Sequence, residues 1–213
     1  MKKVIGIISY LPDDEKLRRT RKAKLELLLA QCNSLFYLPI IIIAQNWDGS
    51  EAVPVNCIIY HYDKLGITGA RRELRKRFLE SEYDYLIMLD DDCNIIGTAE
   101  QAKQYLDLID LNPGKFGTFK GTLFKLFAIS KEIFQQEDFP ELEAEKGEIF
   151  EDIYFVGKLR RKYPQSEFDL NRSGLMETSD SAWDENSTWF HYQYNKREIG
   201  DKTRALLREL DSN

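Results

Sequence analysis

Residues Tyr83–Cys93 read YDYLIMLDDDC, an apolar run that stops at three consecutive carboxylates, Asp90, Asp91 and Asp92. Leu86, Ile87, Met88 and Leu89 suit a strand buried on both faces. Carboxylates crowded at its end raise one another's pKa and resist ionising together. A divalent cation removes that conflict. Asp90 and Asp92 share one side of an extended chain and can reach one hard cation. Mg²⁺ or Mn²⁺ held by one or two carboxylates keeps positions open for substrate phosphates. Asp92 is the better direct ligand, with Asp90 reaching the cation through water or touching a ribose. Asp91 alternates to the opposite face, which suits a structural role beside the nucleotide. A solvated acidic turn is the plain alternative.

A second acidic pair, Glu151 and Asp152, opens the helical segment FEDIYFVGKLRR. Acidic residues in a first turn complement the helix dipole, and that alone explains many such pairs. The same placement suits a general base that takes a proton from an attacking hydroxyl. His191, in STWFHYQYNKR, is one of two histidines and offers an imidazole ligand to a transition metal, or a packed side chain among aromatics. His61, inside an apolar run, reads as structural. Lys196 and Arg197 follow His191 closely and suit a lid that closes over a diphosphate. Trp183, Trp189, Tyr192 and Tyr194 crowd the same stretch and could face a sugar ring or fill a core.

The elements that must position these groups alternate in type. Val4–Ser9 is a first strand. A helix follows from about Glu15 to Ser34, with Leu25, Leu28, Leu29 and Cys32 on one face. Leu38–Ala44 and Asn56–Tyr62 are further strands. Thr68 is placed to cap a helix in which Ala70, Leu74 and Phe78 recur every four residues. The alternation implies a parallel sheet with ligand groups at the carboxyl ends of its strands. Ser9, Gln45, Asn46, Asp63 and the aspartate triplet then gather along one edge. Beyond it, Thr98–Gln101 (TAEQ) reads as a capping box, with Ala102, Tyr105, Leu106 and Ile109 as the apolar stripe. Asn112–Gly117 is a turn, Leu123–Ser130 a strand, and Ile149, Ile153 and Val156 mark a helix. Ser179–Ser187 is polar and suits an exposed loop. A last helix runs from about Asp201 to Leu210.

At 213 residues and 43% hydrophobic content the chain supports one full-sized domain. Its net charge of −6 disfavours a nucleic-acid field, and the 31% of charged residues are mixed along the chain. Basic residues concentrate at 18–24, 71–77, 158–162 and 196–208, which mostly reads as solvated helix faces. No run approaches the ~20 apolar residues of a membrane span, and the apolar part of MKKVIGIISY is short for a signal peptide. Cys32, Cys57 and Cys93 lack zinc-like spacing and suit reduced thiols, hence a cytoplasmic setting.

The order of these motifs carries a resemblance. A first strand, a helix containing ITGARRELRKR, then YDYLIMLDDDC, FEDIYFVGKLRR and a late histidine resemble the GT-A fold of nucleotide-sugar glycosyltransferases, especially the inverting family-2-like group. The resemblance spans about Lys3 to Arg204. It implies a GT-A-like α/β domain with a mostly parallel, helix-flanked sheet. Residues 1–97 would form the nucleotide-sugar-binding half, and 98–213 a smaller, mixed acceptor-side half with a C-terminal lid. It further implies metal-dependent transfer of a sugar from a nucleoside-diphosphate donor, with inversion. Asp152 then matches the family's base within the acidic pair, Arg71 a phosphate contact, and His191 a late metal ligand. Guanidinium suits phosphate by bidentate pairing. Two departures stand out: Arg71-Arg72 replaces a frequent Arg-Asn pair, and the chain is small for the family. The acceptor stays open among glycan, lipid-linked sugar, protein and modified nucleic acid. Competing readings are a sugar-phosphate nucleotidyltransferase and a non-catalytic nucleotide or carbohydrate binder. The first usually carries a glycine-rich loop after its first strand, where this chain has SYLPDDEKLRR.

Overall fold

In a computed structural model, residues 1–49, 51, 53–119, 126–140, 151–179 and 196–209 are described. β1 (Lys3–Tyr10), α1 (Glu15–Leu35), β2 (Ile40–Gln45), β3 (Cys57–Tyr62), α2 (Gly66–Glu80) and β4 (Tyr85–Asp90) form the first half. β5 (Cys93–Ile96), α3 (Ala99–Asp110), β6 (Phe116–Thr118), β7 (Phe127–Ser130) and α4 (Lys131–Gln136) follow. α5 (Glu151–Lys162), β8 (Glu167–Asp169), a 3₁₀ turn at Leu170–Ser173, β9 (Met176–Ser179) and α6 (Lys196–Glu209) complete the described elements.

The main sheet has the order β3-β2-β1-β4-β7-β6-β8. β1 to β4 are parallel, as the alternation requires, while β7 runs antiparallel to both β4 and β6. A separate two-stranded ribbon pairs β5 with β9, bringing Ser179 opposite Cys93 just after the aspartate triplet.

β1, β2 and β4 are buried on both faces, so helices must cover both, while the edge strand β3 is partly exposed. Ile5 and Ile7, Ile40 and Ile42, and Tyr85, Ile87 and Leu89 pack with Leu25, Leu28 and Leu29 of α1 and with Ala102, Tyr105 and Ile109 of α3. Val4 and Ile8, Ile41 and Ile43, and Leu86 and Met88 pack with Ala70, Leu74 and Phe78 of α2, and with α4 and α5. The result is a three-layer α/β/α sandwich. Gly6 sits where α2 comes closest: a Cβ there would lie 2.7 Å from Leu86 Cδ1 and 2.9 Å from Leu74 Cδ1.

The capping box at Thr98 and Gln101 forms as read, with both reciprocal hydrogen bonds present. Thr68 does not cap α2. That helix starts two residues earlier at Gly66, and Thr68 is buried within its first turns. Ile153 is exposed, and Phe155, Val156 and Leu159 form the buried stripe of α5. The turn predicted over Asn112–Gly117 is shorter, because Phe116 already pairs in β6.

Candidate functional site

Strand alternation decides where the acidic triplet points. Asp90 follows Leu86 and Met88 and so faces the α2 side, whereas Asp91 follows Leu89 and faces the α1 side. The contacts obey this parity. Asp90 Oδ1 accepts from Arg71 Nη2 of α2 at 2.8 Å. Asp91 is buried, and its Oδ2 accepts from Ser9 Oγ at 2.9 Å and from the Tyr10 amide at 3.2 Å. Its Oδ1 pairs with Arg21 Nη1 of α1 at 3.3 Å. Burial raises the Asp91 pKa, against the pull of Arg21 and the Ser9 and Tyr10 donors. Asp91 thus anchors the turn, as its alternation suggests, and its carboxylate is turned away from the edge where a nucleotide would lie.

Arg71 stands near the start of α2, but it is only 3% exposed, with its guanidinium turned inward onto Asp90 and Glu151. It bridges Asp90 to Glu151, whose Oε1 lies 3.3 Å from Nε. Two acidic elements distant in sequence therefore meet on one cation. Burial raises the Glu151 carboxyl to about 7, opposed by Arg71 and reinforced by Asp152 and Asp90. Asp152 is half-buried, and its carboxyl is also raised by burial, against the Ile153 amide that donates to Oδ1 at 2.8 Å. Of the two, Asp152 is the more exposed.

A second set of contacts fixes the helices that carry these groups. Arg75 of α2 donates to the carbonyls of Phe134 and Glu137 at 2.9 and 2.7 Å, closing the end of α4. Buried Glu137 pairs with Lys158 and Lys162 of α5 at 2.7 and 2.8 Å. α2, α4 and α5 are thereby tied together beside Arg71 and the acidic pair.

The other predicted strand-end groups divide. Gln45, on the α2-facing side of β2, accepts from the Leu65 amide at 2.7 Å and sets the entry to α2. Ser9 is 1% exposed and is likewise internal. Asp63 is exposed and lines, with Asn46, Trp47, His61 and Tyr62, a cleft of about 400 Å³ at the carboxyl ends of β2 and β3. Asn46 takes φ 57°, a left-handed conformation asparagine tolerates, and its side chain donates to Leu11 and Asp13. His61 lies within the third strand, as read; that strand is at the sheet edge, and His61 is exposed and meets Trp47 edge-on at 6.2 Å. Trp47 and Tyr62 were not singled out. Their place at the exits of two parallel strands was the available signal.

Lys196 and Arg197 open α6, and His191, Trp183, Trp189, Tyr192 and Tyr194 lie outside the described residues. Among the described residues, no group of three or more His, Cys, Asp or Glu side chains gathers in a way that could hold a metal. Asp90 ends β4 with one oxygen on Arg71, and Asp92 lies in the turn just beyond; as oxygen donors the two would leave most positions of a bound cation to phosphate and water.

Solved structures share this fold. Staphylococcus aureus TarS superposes with a TM-score of 0.53 at 13% identity, over 90% of this chain and 38% of that one, so this chain spans well under half its length. A Desulfovibrio desulfuricans G20 protein provisionally named a nucleotide-diphospho-sugar transferase gives 0.53 at 14% identity, over 98% of both chains. The fold is GT-A-like. At such identities the likeness concerns fold alone. No protein-family model matches the chain, and no curated protein matches it. Among the described residues, no helix is long and apolar enough to cross a membrane.

Proposed function

We propose that this chain is a glycosyltransferase that moves a sugar from a nucleoside-diphosphate donor to an acceptor nucleophile with inversion. The observation that carries the reading is the Asp90–Arg71–Glu151 bridge. It brings the acidic strand end and the acidic helix start to one place, on the same edge of the sheet as the strand-end cleft. The GT-A-like fold supports the same reading.

The donor's nucleoside lies in the cleft of Asn46, Trp47, His61, Tyr62 and Asp63, and its diphosphate runs toward Asp90 and Asp92. Those two carboxylates hold Mn²⁺ or Mg²⁺, which when bound supplies Lewis-acid stabilisation of the leaving diphosphate. On the family resemblance His191, outside the described residues, would be a further metal ligand, and Lys196 and Arg197 would be phosphate contacts. Asp152 accepts the proton as the acceptor oxygen bonds to the anomeric carbon, and the bond from that carbon to the diphosphate oxygen breaks on the opposite side. The electron pair departs with the nucleoside diphosphate. Arg71 acts from inside, holding Asp90 and Glu151 rather than gripping phosphate itself. The acceptor is a glycan, a lipid-linked sugar, a protein or a modified nucleic acid.

A panel of nucleotide sugars, assayed for hydrolysis and transfer with and without Mn²⁺, tests this. One donor should turn over, and only with metal. Asp152→Asn should bind that donor normally while turnover falls by roughly 10²–10⁴. A protein that binds nucleotide but turns over no donor would instead be a binding module. If Glu151→Gln abolishes turnover and Asp152→Asn does not, Glu151 is the base.

A further inference from the structure

Ser9 stands at the end of β1, where direct contact with a nucleotide is expected, yet its side chain is sealed from solvent. We propose instead that Ser9 is a positioning residue, joining the acidic turn to the wall of the cleft. The proposal rests on the donor reading above.

The direction of every link in this chain is fixed by chemistry. The Trp47 indole Nε1–H is a donor only, and it reaches Ser9 Oγ at 3.2 Å. A carboxylate accepts only, so the Ser9 hydroxyl gives its single proton to Asp91 Oδ2 at 2.9 Å. Asp91 is pinned in turn by the Tyr10 amide and Arg21. At the other end, the indole stands edge-on to His61, and both rings line the cleft. Trp47 cannot rotate without breaking a hydrogen bond to the group that holds Asp91. The backbone on either side of Asp91 carries Asp90 and Asp92. One buried carboxylate therefore sets both the indole that shapes the nucleoside end and the two carboxylates at the diphosphate end. Such chains polarise along their length, so each link strengthens the next.

The test is a double-mutant cycle on Ser9→Ala and Trp47→Phe, titrated with ADP, GDP, CDP, UDP and dTDP in the presence of Mn²⁺. Ser9→Ala should weaken the tightest of these by about three- to tenfold, the range of one net hydrogen bond. In the Trp47→Phe background Ser9→Ala should cost clearly less than in the wild type, because the link to the indole is already gone and only the bond to Asp91 remains to be lost. In 5-fluorotryptophan-labelled protein, the ¹⁹F resonance of Trp47 should shift in Ser9→Ala. Additive losses, or an unchanged affinity in either single variant, would overturn the proposal while leaving the donor reading intact. Failure of the wild-type protein to bind any of the five would overturn both. Should Ser9→Ala not fold, Ser9→Cys, which keeps the size and a weak donor, is read in the same way.

Discussion

Asp90 and Asp91 serve opposite faces of the sheet because a strand turns successive side chains to opposite sides. Asp90 meets α2 through Arg71, and Asp91 is sunk toward α1 against Ser9, Tyr10 and Arg21. Asp92 lies in the turn beyond β4. The alternation of Asp90 and Asp91 was legible from their spacing alone. The inward aim of Arg71 was not, because its second partner, Glu151, arrives from a helix far along the chain. Glu151 gives a test at this scale. Its folded carboxyl lies at about 7 against an ordinary 4.5, chiefly through burial. The folded state therefore binds more protons than the unfolded state between those values. This contribution to stability is full below pH 4.5 and is lost as pH rises through 7. Between those limits wild-type stability should fall more steeply than that of Glu151→Gln, the two curves diverging by on the order of 1–3 kcal/mol. Denaturant unfolding across pH reads this difference, and parallel curves would mean that Glu151 is not held protonated.

At the scale of elements, strong periodicity was readable and long-range pairing was not. The stripe of α1 and the capping box of α3 are local patterns, and both form as the sequence indicates. β6 and β8 are three residues each, and α4 is six, too short for a period to show. The antiparallel attachment of β7 to β4 depends on tertiary packing rather than on either strand's own sequence. Thr68 shows the limit of reading caps: a good capping residue type was placed one turn too late, in a buried position. The close approach of α2 to the sheet, which carries Arg71 to Asp90, depends on Gly6. Gly6→Ala should force Leu74 and Leu86 aside in a packed layer and destabilise the protein by about 1–3 kcal/mol in urea unfolding. A neutral result would show that α2 has room to move away from β1.

For the whole molecule, parallel strands β1 to β4 deliver their carboxyl ends to one edge, where the cleft and the acidic turn lie. That gathering followed from the strand–helix alternation, whereas which side chains face the edge and which are internal did not. The charge distribution points the same way as the net charge of −6. Arg18 and Arg21 of the first basic cluster pair with Asp48 and Asp91. In the second, Arg72 and Arg75 pair with Asp138, and Arg77 pairs with Glu73 and lies over Tyr60. These cations are engaged in contacts within the molecule.

The central claim is that Asp92 helps to hold a divalent cation to which a nucleoside diphosphate binds. Calorimetric titration of the nucleoside diphosphate selected by the donor panel, with and without Mn²⁺, compares wild type with Asp92→Asn. Binding should be metal-dependent in the wild-type protein and absent in the variant, with both proteins unfolding at similar denaturant concentrations. Equal, metal-independent affinity in the two would contradict it.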